Sequence, residues 1–145
     1  MKLLVAVDLR DLPGPVVVKA TEWASRLSAT LDIVYVDQVN ISRGFGDTRV
    51  RDLMDKEYSR MREKDFELLT ALMHTVPEDL QGVVHILDGP AAETLVEHAR
   101  TYDALLVATS GRTGLSHFWL GSVAERVIRS STVPTIVMKA ATSPA

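Results

Sequence analysis

The chain contains no cysteine. Disulfides, thiolate nucleophiles and Cys-ligated metals are thereby excluded, and the composition fits a reducing compartment. No apolar run approaches the roughly 20 residues that a membrane-spanning helix needs. The opening Met1–Asp8 is apolar, but it is too brief for a signal peptide and Asp8 interrupts it. The formal net charge is −3 and no cluster of lysine or arginine stands out. Neither a nucleic-acid surface nor an anionic-membrane surface is therefore expected. Several chemical signatures are also missing. There is no G-x-x-x-x-G-K-[S/T] phosphate loop and no G-x-G-x-x-G fingerprint. Thr109-Ser110-Gly111 is not a nucleophile elbow, because that motif needs glycines where this chain has Ala108 and Arg112. Histidines 74, 85, 98 and 117 show neither H-x3-H nor H-E-x-x-H spacing, so they read as surface or half-buried residues and not as metal ligands. No general base stands beside a reactive group, and no catalytic residue is assigned.

What is present is a soluble globular composition: 145 residues, 46% hydrophobic and 24% charged. That length suits one domain with a proper core, expected over residues 1–140, followed by a frayed tail at 141–145. Leu3 to Val7 reads as a strand buried on both faces, ended by Asp8. A turn follows, and then a helix from Val16 to Ala29, whose core face is Val17, Ala20, Ala24, Leu27 and Leu31. Leu31 to Val36 is a second strand. The connection from Asp37 to Thr48, with Gly44 and Gly46, is long enough to be a flap or a functional loop. Arg49 to Thr75 is a long charged helix. Its apolar stripe, Met54, Tyr58, Met61, Leu68, Leu72 and Val76, is expected to be core, with Asp52 and Lys56 paired on the wet side. Val83 to Leu87 is the third strand. Gly89-Pro90 starts a helix, with Pro90 at its first turn and Leu95, Val96 and Ala99 inward. Ala104 to Thr109 is the fourth strand and Thr135 to Met138 the fifth. Strands alternating with helices imply an α/β fold with a parallel sheet and right-handed crossovers.

The stretch from Asp103 to Arg129 joins a buried strand, a loop with glycines at 111, 114 and 121, and a helix. Ser122-Val123-Ala124-Glu125 has the form of a capping box, which starts that helix at Ser122. A helix N-terminus behind a glycine-rich loop presents unpaired N–H groups and the positive end of the helix dipole, which suits an anion such as phosphate. Gly111 and Gly121 would let backbone approach that anion without a Cβ; alternatively they are turn positions. Ser122 can give its hydroxyl and N–H to a phosphate, or serve only as the cap. Asp8 can accept from a sugar hydroxyl or a base amine, or cap its own turn. Arg112 can reach a phosphate or remain solvated.

These words resemble the universal stress protein family. Gly111, nine residues, then Gly121-Ser122 fits the later part of that family's G-x2-G-x9-G-[S/T] nucleotide signature. V-A-V-D near the start, G-x-A-A-E-T-L in the middle and V-P-T-I-V-M-K at the end are also similar. The resemblance implies an open five-stranded parallel sheet of order 3-2-1-4-5 with helices on both faces. In that order the sheet reverses between the first and fourth strands, where ligands bind at the carboxyl ends. It also implies that Val36 lies beside an adenine, that Val123 is another contact, and that Ala108 stands at the position of the signature's first glycine. Leu9-Arg10 replaces the Gly-Ser common after the aspartate. The expected function is that of a small cytoplasmic ATP-binding protein, with AMP or ADP as alternative ligands, Mg²⁺ accompanying the phosphates, and a stress-linked regulatory role. A slow ATPase and a nucleotide-free interaction module are the competing readings. The resemblance further implies a homodimer through the edge strand Thr135–Met138. The downstream protein partner is not identified by any residue.

Overall fold

The computed structural model describes residues 1–38, 47–109 and 121–139. Among these residues five strands form one parallel sheet: β1 (Lys2–Ala6), β2 (Thr30–Asp37), β3 (Gln81–Asp88), β4 (Ala104–Ala108) and β5 (Thr135–Met138). Their order is β3-β2-β1-β4-β5, as the family resemblance implied. The α-helices described between them are α1 (Pro13–Leu27), α2 (Thr48–Met73), α3 (Ala91–His98) and α4 (Ser122–Ser130). Near-continuous apolar runs suit strands covered on both faces. Alternate residues of β1 and β2 accordingly feed two cores. Leu3, Val5, Leu31 and Ile33 pack with Val17, Ala20 and Ala24 of α1 and with Leu69 and Met73 of α2. Leu4, Val34 and Val36 face the opposite way, onto Ala92 and Leu95 of α3 and Ala124 and Val127 of α4.

Two expectations about helix faces hold only in part, each for a local reason. Helix α1 starts earlier than its apolar pattern suggested, because Pro13 can occupy a first-turn position without losing a needed N–H. It also stops at Leu27, where Ser28 takes a left-handed conformation (φ 51°). Leu27 is consequently exposed, and Leu31 belongs to β2. In α2 the expected stripe holds only in part. Met54, Met61 and Leu68 are 56%, 45% and 49% exposed, whereas Tyr58 and Leu72 are half-buried and Val76, just past the helix, is buried with the unexpected Leu69 and Met73. The inward row also includes Arg62, which donates to the Ile86 carbonyl at 3.0 Å and pairs with Asp88 at 2.6 Å. Tyr58 donates to the same carboxylate at 3.0 Å. Asp88 is the last residue of β3, so the first turns of α2 reach past the end of the sheet. Asp52 and Lys56 are exposed, as expected, but the ion pair seen within this helix is Glu57–Arg60 at 3.0 Å. The Gly44–Gly46 segment and the 141–145 tail lie outside the described residues.

The pairing of β2 with the edge strand β3 contains an irregularity. Leu31 pairs with Gln81 but Ile33 pairs with Val84, so β3 carries one extra residue opposite Asp32. The Asp32 carboxylate, 2% exposed, fills that bulge and accepts from the Val83 N–H at 2.9 Å. Gly82 is required there: a Cβ would fall 1.9 Å from Asp32 Oδ1 and 2.8 Å from the Leu31 carbonyl oxygen.

Candidate functional site

The carboxyl ends of β1, β2 and β4 and the start of α4 enclose a cleft of ≈ 410 Å³. It lies where the sheet reverses, between β1 and β4. Six residues singled out from the sequence line it: Asp8, Val36, Ala108, Gly121, Ser122 and Val123. They come from four separate segments, and the parallel sheet brings them together. Gly111 and Arg112 lie outside the described residues.

The helix start differs from the capping-box expectation. Gly121 is the N-cap and Ser122 the first helical residue, with no side-chain cap hydrogen bond among the described residues. Glu125 turns instead toward the helix C-terminus, where its Oε1 accepts from Arg129 at 2.8 Å. The first bond of the helix ladder runs from the Glu125 N–H to the Gly121 carbonyl at 3.0 Å. Helix geometry therefore leaves the N–H groups of Ser122, Val123 and Ala124 without an intrahelical acceptor. All three residues line the cleft.

Asp8 forms its own turn and also faces the cleft. Its Oδ1 accepts from the Arg10 N–H at 2.9 Å and its carbonyl accepts from the Asp11 N–H at 3.1 Å, closing a turn directly after β1. The turn also sets Arg10 and Asp11 into the cleft lining. Neither was a sequence candidate; the turn-forming aspartate two residues before Arg10 is the signal that could have found them. Ala108 ends β4 in register with Met138 and is not a positive-φ position. Its methyl needs no strained backbone there.

Polar groups at the second strand end shape the local field. Tyr35 and Asp37 are buried. Burial raises the pKa of the Tyr35 phenol, with the charges of Arg10, Asp37, Asp65 and Asp8 around it. Burial also raises the Asp65 carboxyl, and the nearby Asp37 adds to the rise while Arg10 and Arg62 oppose it. The cleft thus has apolar walls from Val34, Val36 and Leu95, a carboxylate-and-arginine rim at Asp8–Asp11, and a helix start on the far side. Such a combination suits a ligand with an aromatic or apolar body, hydroxyl donors and an anionic end.

The sequence model of the universal stress protein family matches residues 1–139. The chain belongs to that family. Universal stress protein MJ0531 of Methanocaldococcus jannaschii is 28% identical over 141 residues, covering 95% of this chain and 81% of that protein. Universal stress protein A homolog 1 of Coxiella burnetii is 29% identical over 140 residues, covering 94% of each. Among solved structures, hypothetical protein MJ0577 superposes with a TM-score of 0.76 at 19% identity, over 98% of this chain and 97% of that one. A universal stress protein in complex with cAMP superposes at 0.59 with 20% identity, over 97% and 98%. At these identities the structural matches establish the universal stress protein fold. Among the described residues, no helix is long and apolar enough to cross a membrane.

Proposed function

We propose that the cleft binds an adenine nucleotide, with ATP the expected ligand and AMP or ADP its alternatives, and that the chain acts as a cytoplasmic, stress-linked regulatory or binding module. The observation that carries this reading is the convergence of an uncapped helix start, apolar strand-end walls and a strand-end carboxylate on one cleft. The base would lie against Val36. Asp8 would accept from a ribose hydroxyl or base amine. The phosphates would meet the N–H groups and hydroxyl at Ser122, with Gly111 and Arg112 contributing from the preceding loop. The cleft volume, ≈ 410 Å³, falls in the range of about 300–1,000 Å³ usual for small-molecule sites. The similar structure that holds cAMP, itself an adenine nucleotide, supports the ligand class. Among the described residues no group of three or more His, Asp or Glu could hold a metal ion. Mg²⁺ would enter with the phosphates. Freshly purified protein, denatured and examined by mass spectrometry, should release adenine nucleotide, or the emptied protein should bind ATP in a calorimetric titration. Failure of both rejects the nucleotide reading and leaves the interaction module.

Turnover of ATP is expected to fall far below the roughly 1–10³ s⁻¹ of ordinary enzymes. The cleft lining offers a helix start and a tethered Asp8–Arg10 turn, with no base–nucleophile pair among the described residues. Several turnovers per second that vanish in Ser122→Ala would establish the ATPase instead.

The same proposal includes a homodimer through β5. The two sheet edges are treated differently. At β3 the Arg62 guanidinium covers the Ile86 carbonyl. At β5 the Leu105 N–H donates to the Pro134 carbonyl and the Thr109 N–H to the Met138 carbonyl, each at 2.9 Å. Strand alternation then turns the backbone groups of Thr135 and Val137 outward, and the Val137 side chain is 40% exposed. An edge whose backbone groups face outward in this way favours pairing with a second copy about a two-fold axis. Val137→Pro removes only an outward donor and should weaken the dimer while leaving the fold intact. Sedimentation would show the loss; a variant that dimerises unchanged, or a monomeric wild type at micromolar concentration, rejects the edge pairing.

A further inference from the structure

A second polar cluster lies on the α3 side of the sheet, away from the cleft lining. Asp32 of β2 accepts from the Tyr102 hydroxyl at 2.6 Å, from the Val83 N–H at 2.9 Å, and stands 3.2 Å from His85 Nε2 of β3. Lys2 of β1 approaches the same carboxylate at 3.9 Å. His98, the last residue of α3, completes the group. Its ring meets His85 edge-on, with centroids 4.7 Å apart, and lies 5.7 Å from the Tyr102 ring. The buried Nε2 of His98 has no hydrogen-bond partner among the described residues. The charges nearest on α3 and its continuation, Glu97 and Arg100, are exposed and paired with each other at 3.2 Å.

We propose that His98 is an acid-sensitive trigger: proton uptake at its ring displaces the end of α3, and with it the wall that α3 gives the cleft. A neutral ring with one unpaired nitrogen is tolerated in this position. An imidazolium has two N–H donors and a full charge, and must find acceptors. The carboxylate in reach already serves Tyr102, Val83 and His85. Lys2 adds positive charge on one side. The charged ring is thus driven toward solvent. Leu95 precedes His98 by three residues and so shares its helix face. Leu95 and Ala91 both line the cleft. One helix, Ala91–His98, carries both the trigger and the wall residues.

Burial, followed by the neighbouring His85, lowers the pKa of His98, while Asp32 partly opposes the shift. The unfolded chain takes up this proton near pH 6.5 and the folded chain only below that. This residue's contribution to stability is accordingly complete above about pH 6.5 and is lost as pH falls through the folded value. The response belongs to the fold, so it holds whatever ligand the cleft takes.

The test is a pH titration of the ligand-free protein by NMR from pH 7.5 to 5, following the His98 ring and the methyl groups of Ala91 and Leu95. The His98 midpoint should lie below about 6.5, and the two methyl groups should shift with the same midpoint. His98→Phe keeps an aromatic ring that cannot titrate, and should abolish the methyl response. His85→Gln should retain it, because the amide can still donate to Asp32. A His98 midpoint at or above 6.5, methyl groups that stay still while His98 titrates, or a response lost in His85→Gln overturns the proposal. The wild-type titration decides alone if either variant does not fold.

Discussion

Replacing Asp32 by alanine is expected to destabilise the protein by about 3–5 kcal/mol, the range for removing one partner of a buried charged network. The carboxylate is the common acceptor for Tyr102, the Val83 N–H and His85, and it plugs the bulge where β3 has an extra residue. Alanine leaves the hydroxyl and the backbone N–H buried without their acceptor, beside a new void. Burial by itself would raise the pKa of Asp32, but the bonds from Tyr102, Val83 and His85, with the charge of Lys2, lower it overall. Its shift therefore stabilises the fold fully above the ordinary carboxylate range, and that part is lost as pH falls below about 4. The penalty of the alanine variant should shrink over the same interval. Gly82→Ala gives an independent check on the geometry. Its Cβ collides with Asp32 Oδ1 and crowds the Leu31 carbonyl, so it should cost about 2–4 kcal/mol, within the large losses that overpacking and broken buried networks produce. Because the two residues share one space, their losses should combine to less than their sum. Urea unfolding of the two single variants and the double variant measures all three quantities. An Asp32→Ala protein within about 0.5 kcal/mol of wild type would mean that the bulge does not depend on its carboxylate.

Gly121→Val should abolish most nucleotide affinity while the protein stays folded. At Gly121 a Cβ meets nothing within 4 Å among the described residues, so they leave open space there. Its φ of −56° is available to any residue. Valine is a poorer N-cap than glycine, which limits the expected stability loss to about 1 kcal/mol. The isopropyl group would nonetheless stand at the mouth of the helix start, where the phosphates are proposed to lie. A loss of at least about tenfold in ATP affinity, equivalent to about 1.4 kcal/mol, is the expected calorimetric result. Wild-type affinity in a folded Gly121→Val protein would remove the phosphates from this position. Binding retained in the wild type and lost in the variant would separate the helix start from the other walls of the cleft.

The alternation of strands and helices was legible in the sequence because its signals are local. Apolar runs such as Leu3–Val5 and Leu105–Val107 mark strands covered on both sides, and Pro134 and the Gly89-Pro90 pair mark boundaries. The strand order was not local, and came from words shared with a family. The same words named Val36, Ala108 and Val123, while the strand end and the glycine-led helix start named Asp8, Gly121 and Ser122; their meeting in one cleft required the sheet. Tertiary structure alone decided which face of α2 turns inward. Apolar periodicity points to Met54, Tyr58, Met61, Leu68, Leu72 and Val76; Tyr58, Leu72 and Val76 do turn inward, but Arg62 joins Tyr58 on Asp88 and Met54, Met61 and Leu68 are left to solvent. It alone replaced the capping box of Ser122 by an uncapped Gly121 start, because Glu125 found Arg129. It alone assembled Asp32, Gly82, His85, His98 and Tyr102. A hydrophobic pattern records only what must leave water, whereas the buried carboxylate of Asp32 is stable through partners that are distant along the chain.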